Sequence, residues 1–100
     1  MKRFTILIPI FNDWESLDKL LNNININIKN IKNVKFNCIV VDDCSTVKNQ
    51  NIKVPKNINS IKIIHMNENR GHARCNAFGV KYLSKYLDLD YVILMDGDGE

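Results

Sequence analysis

The sequence has few cysteines, and their arrangement argues against two kinds of site. There are three, Cys38, Cys44 and Cys75, an odd number with no Cys-x-x-Cys spacing. Zinc centres and disulfide frameworks use paired or closely spaced cysteines. We therefore expect free thiols in a reducing compartment, with Cys38 and Cys75 buried as small hydrophobic side chains. That compartment is predicted to be the cytoplasm.

The chain also lacks a block of basic residues and any interleaving of basic with aromatic residues. Its 14 Lys and Arg against 11 Asp and Glu leave a net charge of +3, scattered along the sequence. Nucleic-acid-binding surfaces concentrate positive charge on one face, so no nucleic-acid partner is predicted. The small excess of positive charge weakly favours an anionic ligand.

Long hydrophobic runs are missing as well. The first apolar segment, RFTILIPI at residues 3–10, is interrupted by Pro9 and followed by the polar segment FND. A membrane-spanning helix needs about 20 apolar residues, and a signal peptide needs a cleavage site of small residues. We predict neither, and a peripheral position at the inner face of the membrane stays open.

What is present is a pattern of apolar strands and amphipathic helices. Hydrophobic residues make up 45% and charged residues 25% of the 100 residues, which is typical of one small globular domain. Apolar, β-rich segments predict strands over residues 3–10, 35–41, 60–66 and 90–95. Helical spacing of apolar residues predicts one helix over residues 14–28 and a second that opens at Asn69 or Gly71.

The order of these elements, β-α-β-β-α-β, predicts the fold class. Continuous apolar strands that alternate with helices indicate an α/β fold, a Rossmann-like, mostly parallel sheet with helices on both faces. Asn12 is predicted to cap the first helix, with Glu15 as its reciprocal partner. The predicted buried face of the second helix consists of Ala73, Ala77, Val80, Leu83 and Leu87.

Polar clusters follow three of the predicted strands. They occupy residues 11–13 after the first strand, 42–43 after the second and 96–98 after the fourth. In parallel sheets, ligands bind outside the carboxyl ends of the strands. We therefore predict that the three clusters meet at one edge of the sheet and form a binding site.

The last cluster has the composition of a divalent-cation site. Asp96 and Asp98 supply hard carboxylate oxygens, and Gly97 and Gly99 let the backbone turn sharply. Such oxygens suit Mg²⁺ or Mn²⁺, which are held by one or two carboxylates with substrate phosphates. An acidic turn without a ligand is the alternative, because Asp-Gly is common turn chemistry.

Other polar residues at this edge have two interpretations each. Asp42 and Asp43 are either turn-capping side chains or acceptors for the N–H or hydroxyl groups of a ligand. Arg74, near the start of the second helix, is either a solvated surface residue or a neighbour of a bound diphosphate, as are Arg70 and His72. His65 is predicted to be a polar residue at a strand end rather than a ligand-binding residue.

Four segments, taken in order, resemble the family 2 glycosyltransferases with a GT-A-type nucleotide-sugar-binding domain. They are ILIPIFND, VVDDCST, NRGHARCNAFGV and ILMDGDGE, and they span nearly the whole chain. The matching positions are Pro9, Phe11 and Asn12 in the first motif, Asp42 and Asp43 in an acidic pair, Asn69, Gly71 and Gly79 in the third motif, and Asp96 and Asp98 in the Asp-x-Asp motif.

The resemblance implies a role for each matching position. The turn from Pro9 to Asn12 would flank the base of a UDP or GDP sugar. Asp43 would hydrogen-bond that base and Asp42 would support its turn. Asp96 would contact the ribose or the metal shell, and Asp98 would coordinate Mg²⁺ or Mn²⁺ on the diphosphate. Arg74 would lie near the phosphates.

The resemblance also implies an activity, an inverting, metal-dependent transfer of a hexose to an acceptor such as a lipid phosphate or a growing cell-envelope polysaccharide. Residues 1–100 would form the donor-binding half. Family members continue with an acceptor-binding half that carries the general base. We therefore expect this chain to bind nucleotide, to transfer sugar weakly or not at all, and to self-associate through apolar surface near the fourth strand.

Three other functions are compatible with parts of the pattern. A sugar-phosphate nucleotidyltransferase would need a Gly-rich, basic loop after the first strand, where FNDWES stands. A receiver-like, Mg²⁺-binding signalling domain would need an aspartate after the third strand, where His65-Met66-Asn67 stands. A non-catalytic or degenerate nucleotide-binding fragment stays open.

Overall fold

The computed structural model of the chain describes residues 2–46, 52–69, 71–86 and 90–95. The elements, in chain order, are β1 (Lys2–Ile10), α1 (Trp14–Asn27), β2 (Val34–Asp42), β3 (Ser60–His65), α2 (His72–Tyr86) and β4 (Tyr91–Leu94). The order expected from the sequence is confirmed, and the expected ends are correct to within about three residues, which is the usual uncertainty of such boundaries.

The four strands form one sheet in the order β3-β2-β1-β4. Every adjacent pair is parallel, so the α/β prediction of a mostly parallel sheet is confirmed. The central strands β1 and β2 pair along their whole length, from Lys2 with Val34 to Ile10 with Asp42. Their inner residues are buried on both sides of the sheet, which explains why both strands read as continuous apolar runs.

The two helices cover opposite faces of this sheet. Side chains alternate along a strand, so Ile8 and Val40 face α1 while Leu7 and Val41 face α2. On the first face, α1 contributes the large side chains Trp14, Leu17, Leu21 and Ile24. On the second face, α2 contributes Cys75 and Leu83. Burying a large apolar side chain stabilises the fold by roughly 1.5–3 kcal/mol, so most of the packing energy lies on the α1 face.

The predicted buried face of α2 is partly wrong. Leu83 is buried as expected, but Ala73, Ala77 and Val80 are exposed, and Leu87 lies outside the described residues. The buried positions of α2 are Cys75, Gly79 and Leu83, which recur every four residues. Two of these three side chains are small, so α2 buries a narrow stripe rather than a broad one.

Gly79 explains why the stripe is narrow. A Cβ atom at this position would lie 2.5 Å from Cδ1 and 2.7 Å from Cδ2 of Leu7, which is fully buried in β1. Only a glycine lets the helix approach the sheet this closely. The helix therefore docks through its backbone at Gly79, and Ala73 and Ala77, which precede it, are exposed.

The predicted cap of α1 is also wrong. The N-cap residue is Asp13, whose side chain makes no capping hydrogen bond, and its carbonyl accepts from the Leu17 N–H at 2.8 Å. Asn12 has φ of +59°, a left-handed conformation that Asn tolerates better than most residues. Its side chain turns away from the helix and binds Thr46, as described below. Neither α1 nor α2 is long and apolar enough to cross a membrane.

Candidate functional site

The carboxyl ends of three strands lie side by side at one edge of the sheet. Asp42, the last residue of β2, pairs with Ile10 of β1 on one side and with His65 of β3 on the other. The polar clusters at residues 11–13 and 42–43 therefore meet, as predicted. The third predicted cluster, Asp96 and Asp98, lies outside the described residues. Within the described residues, no group of three or more His, Cys, Asp or Glu is arranged to hold a metal ion.

Asp42 is the centre of a hydrogen-bonded network on the α1 side of this edge. Its side chain is 5% exposed. Oδ1 accepts from the Ser45 backbone N–H at 3.0 Å and also from the Ser45 hydroxyl. Oδ2 lies 2.8 Å from Nδ1 of His65. Both oxygens of Asp42 are used within the protein, and its support of a base-binding turn stays a prediction.

Asn12 joins the loop after β1 to the loop after β2. Its backbone N–H donates to Ser45 Oγ at 2.8 Å. Its side-chain Oδ1 accepts from the Thr46 N–H at 2.9 Å, and its Nδ2 donates to Thr46 Oγ1 at 3.0 Å. The Asn12 side chain thus pairs with Thr46 through two reciprocal hydrogen bonds, which fix the positions of both loops.

Asp43 lies on the other face of the sheet, because successive residues of a strand point to opposite sides. The residue is 1% exposed, and its Oδ2 accepts from the Gly71 N–H at 2.7 Å. Gly71 has φ of +86°, a conformation that favours glycine, and it directly precedes α2. A carboxylate at this position satisfies a backbone donor at the start of a helix and is favoured by the helix dipole.

Cys75, one turn into α2, lies against the same carboxylate. Burial raises the pKa of its thiol from 9.0 to about 12, and a hydrogen bond and the negative charge of Asp43 add to that shift, as does the charge of Asp42. Burial alone raises the pKa of Cys38 from 9.0 to about 12. Both thiols are therefore protonated at neutral pH and unreactive, which agrees with their predicted role as small buried side chains.

The remaining predicted site residues are distributed around this edge. Pro9 is fully buried in β1, Phe11 is half-buried in the turn that follows, and Arg74 is exposed on the first turn of α2. Arg70 and the His72 side chain lie outside the described residues. The backbone of Pro9 faces β4, as that of Leu7 does, and the described pairing with β4 ends at Leu7. Its missing N–H therefore costs no hydrogen bond in the described ladder.

Sequence reasoning missed two partners of the acidic pair. His65 contacts Asp42 instead of projecting freely from its strand end, and the Gly71 N–H satisfies Asp43. The signal for His65 was its position, since the last residues of neighbouring parallel strands lie next to each other. Gly71 matches the third family motif, but that match does not identify its contact with Asp43, which is 28 positions away in the sequence.

Two cavities help to locate the site. The larger, about 560 Å³, lies between α1 and strands β1, β2 and β4, and apolar side chains including Phe4, Ile24 and Ile93 line it. Its lining offers little to bind a charged ligand. A smaller cavity of about 330 Å³ lies at the carboxyl end of β3, where His65, Asn67 and Glu68 contribute polar groups. The polar edge, rather than the larger of these two cavities, is therefore the candidate site.

A family model described as glycosyl transferase family 2 matches residues 5–100. The chain belongs to glycosyltransferase family 2. This membership confirms the resemblance seen in the sequence motifs, and it supports a glycosyltransferase-type function for the family 2 domain. A comparison with curated proteins found no match.

Proposed function

We propose that this family 2 domain binds a nucleotide-diphosphate sugar at the carboxyl edge of its sheet and serves as the donor-binding part of a glycosyltransferase. One observation carries the proposal. In a chain of this family, the loops after β1 and β2 are joined by hydrogen bonds at the edge where α/β sheets bind ligands, and Asn12, Asp42 and Asp43 all lie there. UDP and GDP sugars are the donors we propose.

In this proposal, the nucleotide base lies against the turn from Pro9 to Asn12, and Asp43 is its hydrogen-bond acceptor. The Asp43 side chain is 1% exposed and already accepts from Gly71, so a base reaches it only if the residues around it move. Asp42 holds the turn through Ser45. Arg74, exposed on the first turn of α2, is the proposed neighbour of the diphosphate.

The proposed metal ligands are Asp98 and Asp96. The described chain reaches this motif at Met95, whose N–H donates to the Leu7 carbonyl at 3.0 Å beside β1. Two carboxylates are the donor set that Mg²⁺ or Mn²⁺ takes when it is shared with substrate phosphates. When bound, such an ion neutralises negative charge that develops on the departing diphosphate. The inverting outcome, the hexose specificity and the cytoplasmic location stay predictions.

Titration calorimetry of UDP and GDP, first with Mn²⁺ and then with EDTA, tests the donor site. We expect one nucleotide to bind, and binding to disappear with EDTA and in Asp98→Asn. The matched control is Asp18→Asn, because Asp18 is an exposed carboxylate on α1. Absence of binding in both conditions would contradict the donor site. Binding that survives EDTA and Asp98→Asn would contradict only the metal site.

The proposed self-association rests on β4. This strand ends the described sheet, and Tyr91, Val92 and Leu94 are 46%, 38% and 54% exposed. An exposed apolar edge strand favours pairing with another chain. Sedimentation equilibrium should show an average mass that rises with concentration and falls in Leu94→Lys. A monomer at every concentration would contradict the idea.

A further inference from the structure

We infer that His65 is a positioning residue for the donor site, acting on the loops after β1 and β2 through Asp42. The expected effect of His65 on nucleotide binding rests on the proposed function, whereas its contact with Asp42 does not. His65 belongs to none of the sequence motifs that match the family, and it is the last residue of β3. Its side chain is 59% exposed, so packing alone does not account for its place.

The first step is the contact with Asp42. His65 Nδ1 lies 2.8 Å from Asp42 Oδ2, at the distance of a strong hydrogen bond. An ionised carboxylate has no proton to give, so Nδ1 must carry it. The hydrogen bond then selects the tautomer of the ring and holds the carboxylate in one rotamer. Trp14, the first residue of α1, lies beside the histidine, with ring centroids 6.5 Å apart at 50°.

The second step is the path from Asp42 to the loops. Once Oδ2 is held by His65, Oδ1 faces Ser45 and accepts from its N–H at 3.0 Å and from its hydroxyl. The Ser45 oxygen accepts in turn from the Asn12 N–H at 2.8 Å. The end of β3 and the loops after β1 and β2 are thus joined in a single chain of hydrogen bonds. Loss of the His65 contact removes the ring donor that holds Asp42 Oδ2.

The third step concerns the surroundings of His65 at the end of β3. The residue also lines the cavity of about 330 Å³ at the end of β3, with Glu68 as the other titratable residue of the lining. Nearby, the Cys44 thiol donates to the Asn67 carbonyl at 3.5 Å, which ties the loop after β2 to the loop after β3. The contacts of His65 with Asp42 and of Asn67 with Cys44 therefore join the end of β3 and the loop after it to the end of β2 and the loop after it.

Three variants separate positioning from simple packing. His65→Ala removes the donor. His65→Asn replaces it, because the Asn side-chain nitrogen occupies the position of Nδ1 relative to Cβ. Asn67→Ala is the control, because it removes an exposed side chain from the same edge and keeps the backbone carbonyl that Cys44 uses. The two readouts are nucleotide affinity with Mn²⁺ and hydrogen exchange of the Asn12 and Thr46 amides.

We expect His65→Ala to weaken nucleotide binding roughly tenfold, the usual effect of losing one hydrogen bond to a charged group. Both amides should exchange faster in this variant. His65→Asn should restore both properties, and Asn67→Ala should leave both unchanged. Unchanged amide exchange in His65→Ala, or failure of His65→Asn to restore it, would overturn the inference.

The two proposals fail separately. If the unaltered chain binds no nucleotide, the proposed function is contradicted, and amide exchange still decides whether His65 positions the loops. If the chain binds nucleotide and His65→Ala binds equally well, the donor site stands and the role of His65 is rejected.

Discussion

Asp42 and Asp43 are neighbours in the sequence, yet they serve opposite faces of the sheet. Asp42 lies on the α1 side and binds Ser45 and His65. Asp43 lies on the α2 side and binds the Gly71 N–H at the start of α2. In the sequence, the two adjacent aspartates suggest one acidic site. In the fold, each carboxylate organises a different flanking segment, and the site lies where these segments meet.

The two faces of the sheet also differ in how their helices pack against it. On the α1 face, large side chains fill the space between helix and sheet. On the α2 face, Gly79 lets the helix backbone approach Leu7, and few large side chains are buried. The α1 face should therefore be sensitive to lost volume, and the α2 face to added volume.

Leu17→Ala tests the first half of that comparison and should have the largest effect. Leu17 is fully buried under α1, so truncation should lower the free energy of unfolding by about 3 kcal/mol or more through lost burial and a cavity. Urea denaturation measures the change. Leu20 provides the matched control, because it is only half-buried on the same helix. An equal loss in Leu20→Ala would contradict the assignment of the core.

Gly79→Ala tests the second half. The added Cβ would lie 2.5 Å from Leu7 Cδ1, so we expect the free energy of unfolding to fall by about 2 kcal/mol through overpacking. Alanine favours helix over glycine by about 1 kcal/mol, so the loss should appear despite a gain in helix propensity. The reverse exchange, Ala77→Gly on the exposed face of α2, should cost only that propensity difference. A stabilised Gly79→Ala protein would show that the helix does not dock through Gly79.

The two faces of the sheet also show which parts of the fold the sequence could predict and which it could not. The element order and the meeting of strand ends follow from apolar periodicity and the rules of parallel sheets, and both were predicted correctly. The buried face of α2 was not, because hydrophobic periodicity counts Ala77 and Val80 as core and gives no weight to a glycine. Gly79 is buried for the opposite reason, namely that it has no side chain.

The arrangement of the candidate site, like the fold, was only partly predictable from the sequence. Its location followed from the rule that ligands bind at the carboxyl ends of strands, which brought Asn12 and Asp42 together. The individual hydrogen bonds could not be predicted. Asn12 was expected to cap α1, but its left-handed backbone turns its side chain to Thr46. The orientation of the Asn12 side chain depends on Thr46, which is 34 positions away, so the residues next to Asn12 in the sequence could not predict it.

Asp43→Ala separates the two carboxylates directly. It leaves the part-buried Gly71 N–H without its acceptor and should lower the free energy of unfolding by about 2 kcal/mol. Asp43→Asn keeps an acceptor oxygen and should cost less. Hydrogen exchange should quicken in the first turn of α2 and stay unchanged at Asn12 and Thr46. Faster exchange at those two amides would show that the pair acts as one unit.

The smallest expected change is the one that Asp43→Asn makes to the pH dependence of stability through Cys75. Its thiol pKa is raised in the folded chain from 9.0 to about 12, so above pH 9 the unfolded chain loses a proton that the folded chain keeps. The stabilisation from this thiol is therefore complete below about pH 9 and is lost as pH rises towards 12. Because Asp43 contributes to the shift, Asp43→Asn should lower the pKa of Cys75, so that this part of the alkaline decline ends at a lower pH.

Urea denaturation at several pH values above 8 measures the slope of that decline in each protein. Cys75→Ala sets the reference, because it removes the contribution of this thiol and keeps that of Cys38, whose raised pKa comes from burial alone. In Asp43→Asn the slope should level off at a lower pH than in the unaltered chain. Levelling at the same pH in both proteins would mean that burial alone governs Cys75, and the link between Asp43 and α2 would then rest on the Gly71 contact by itself.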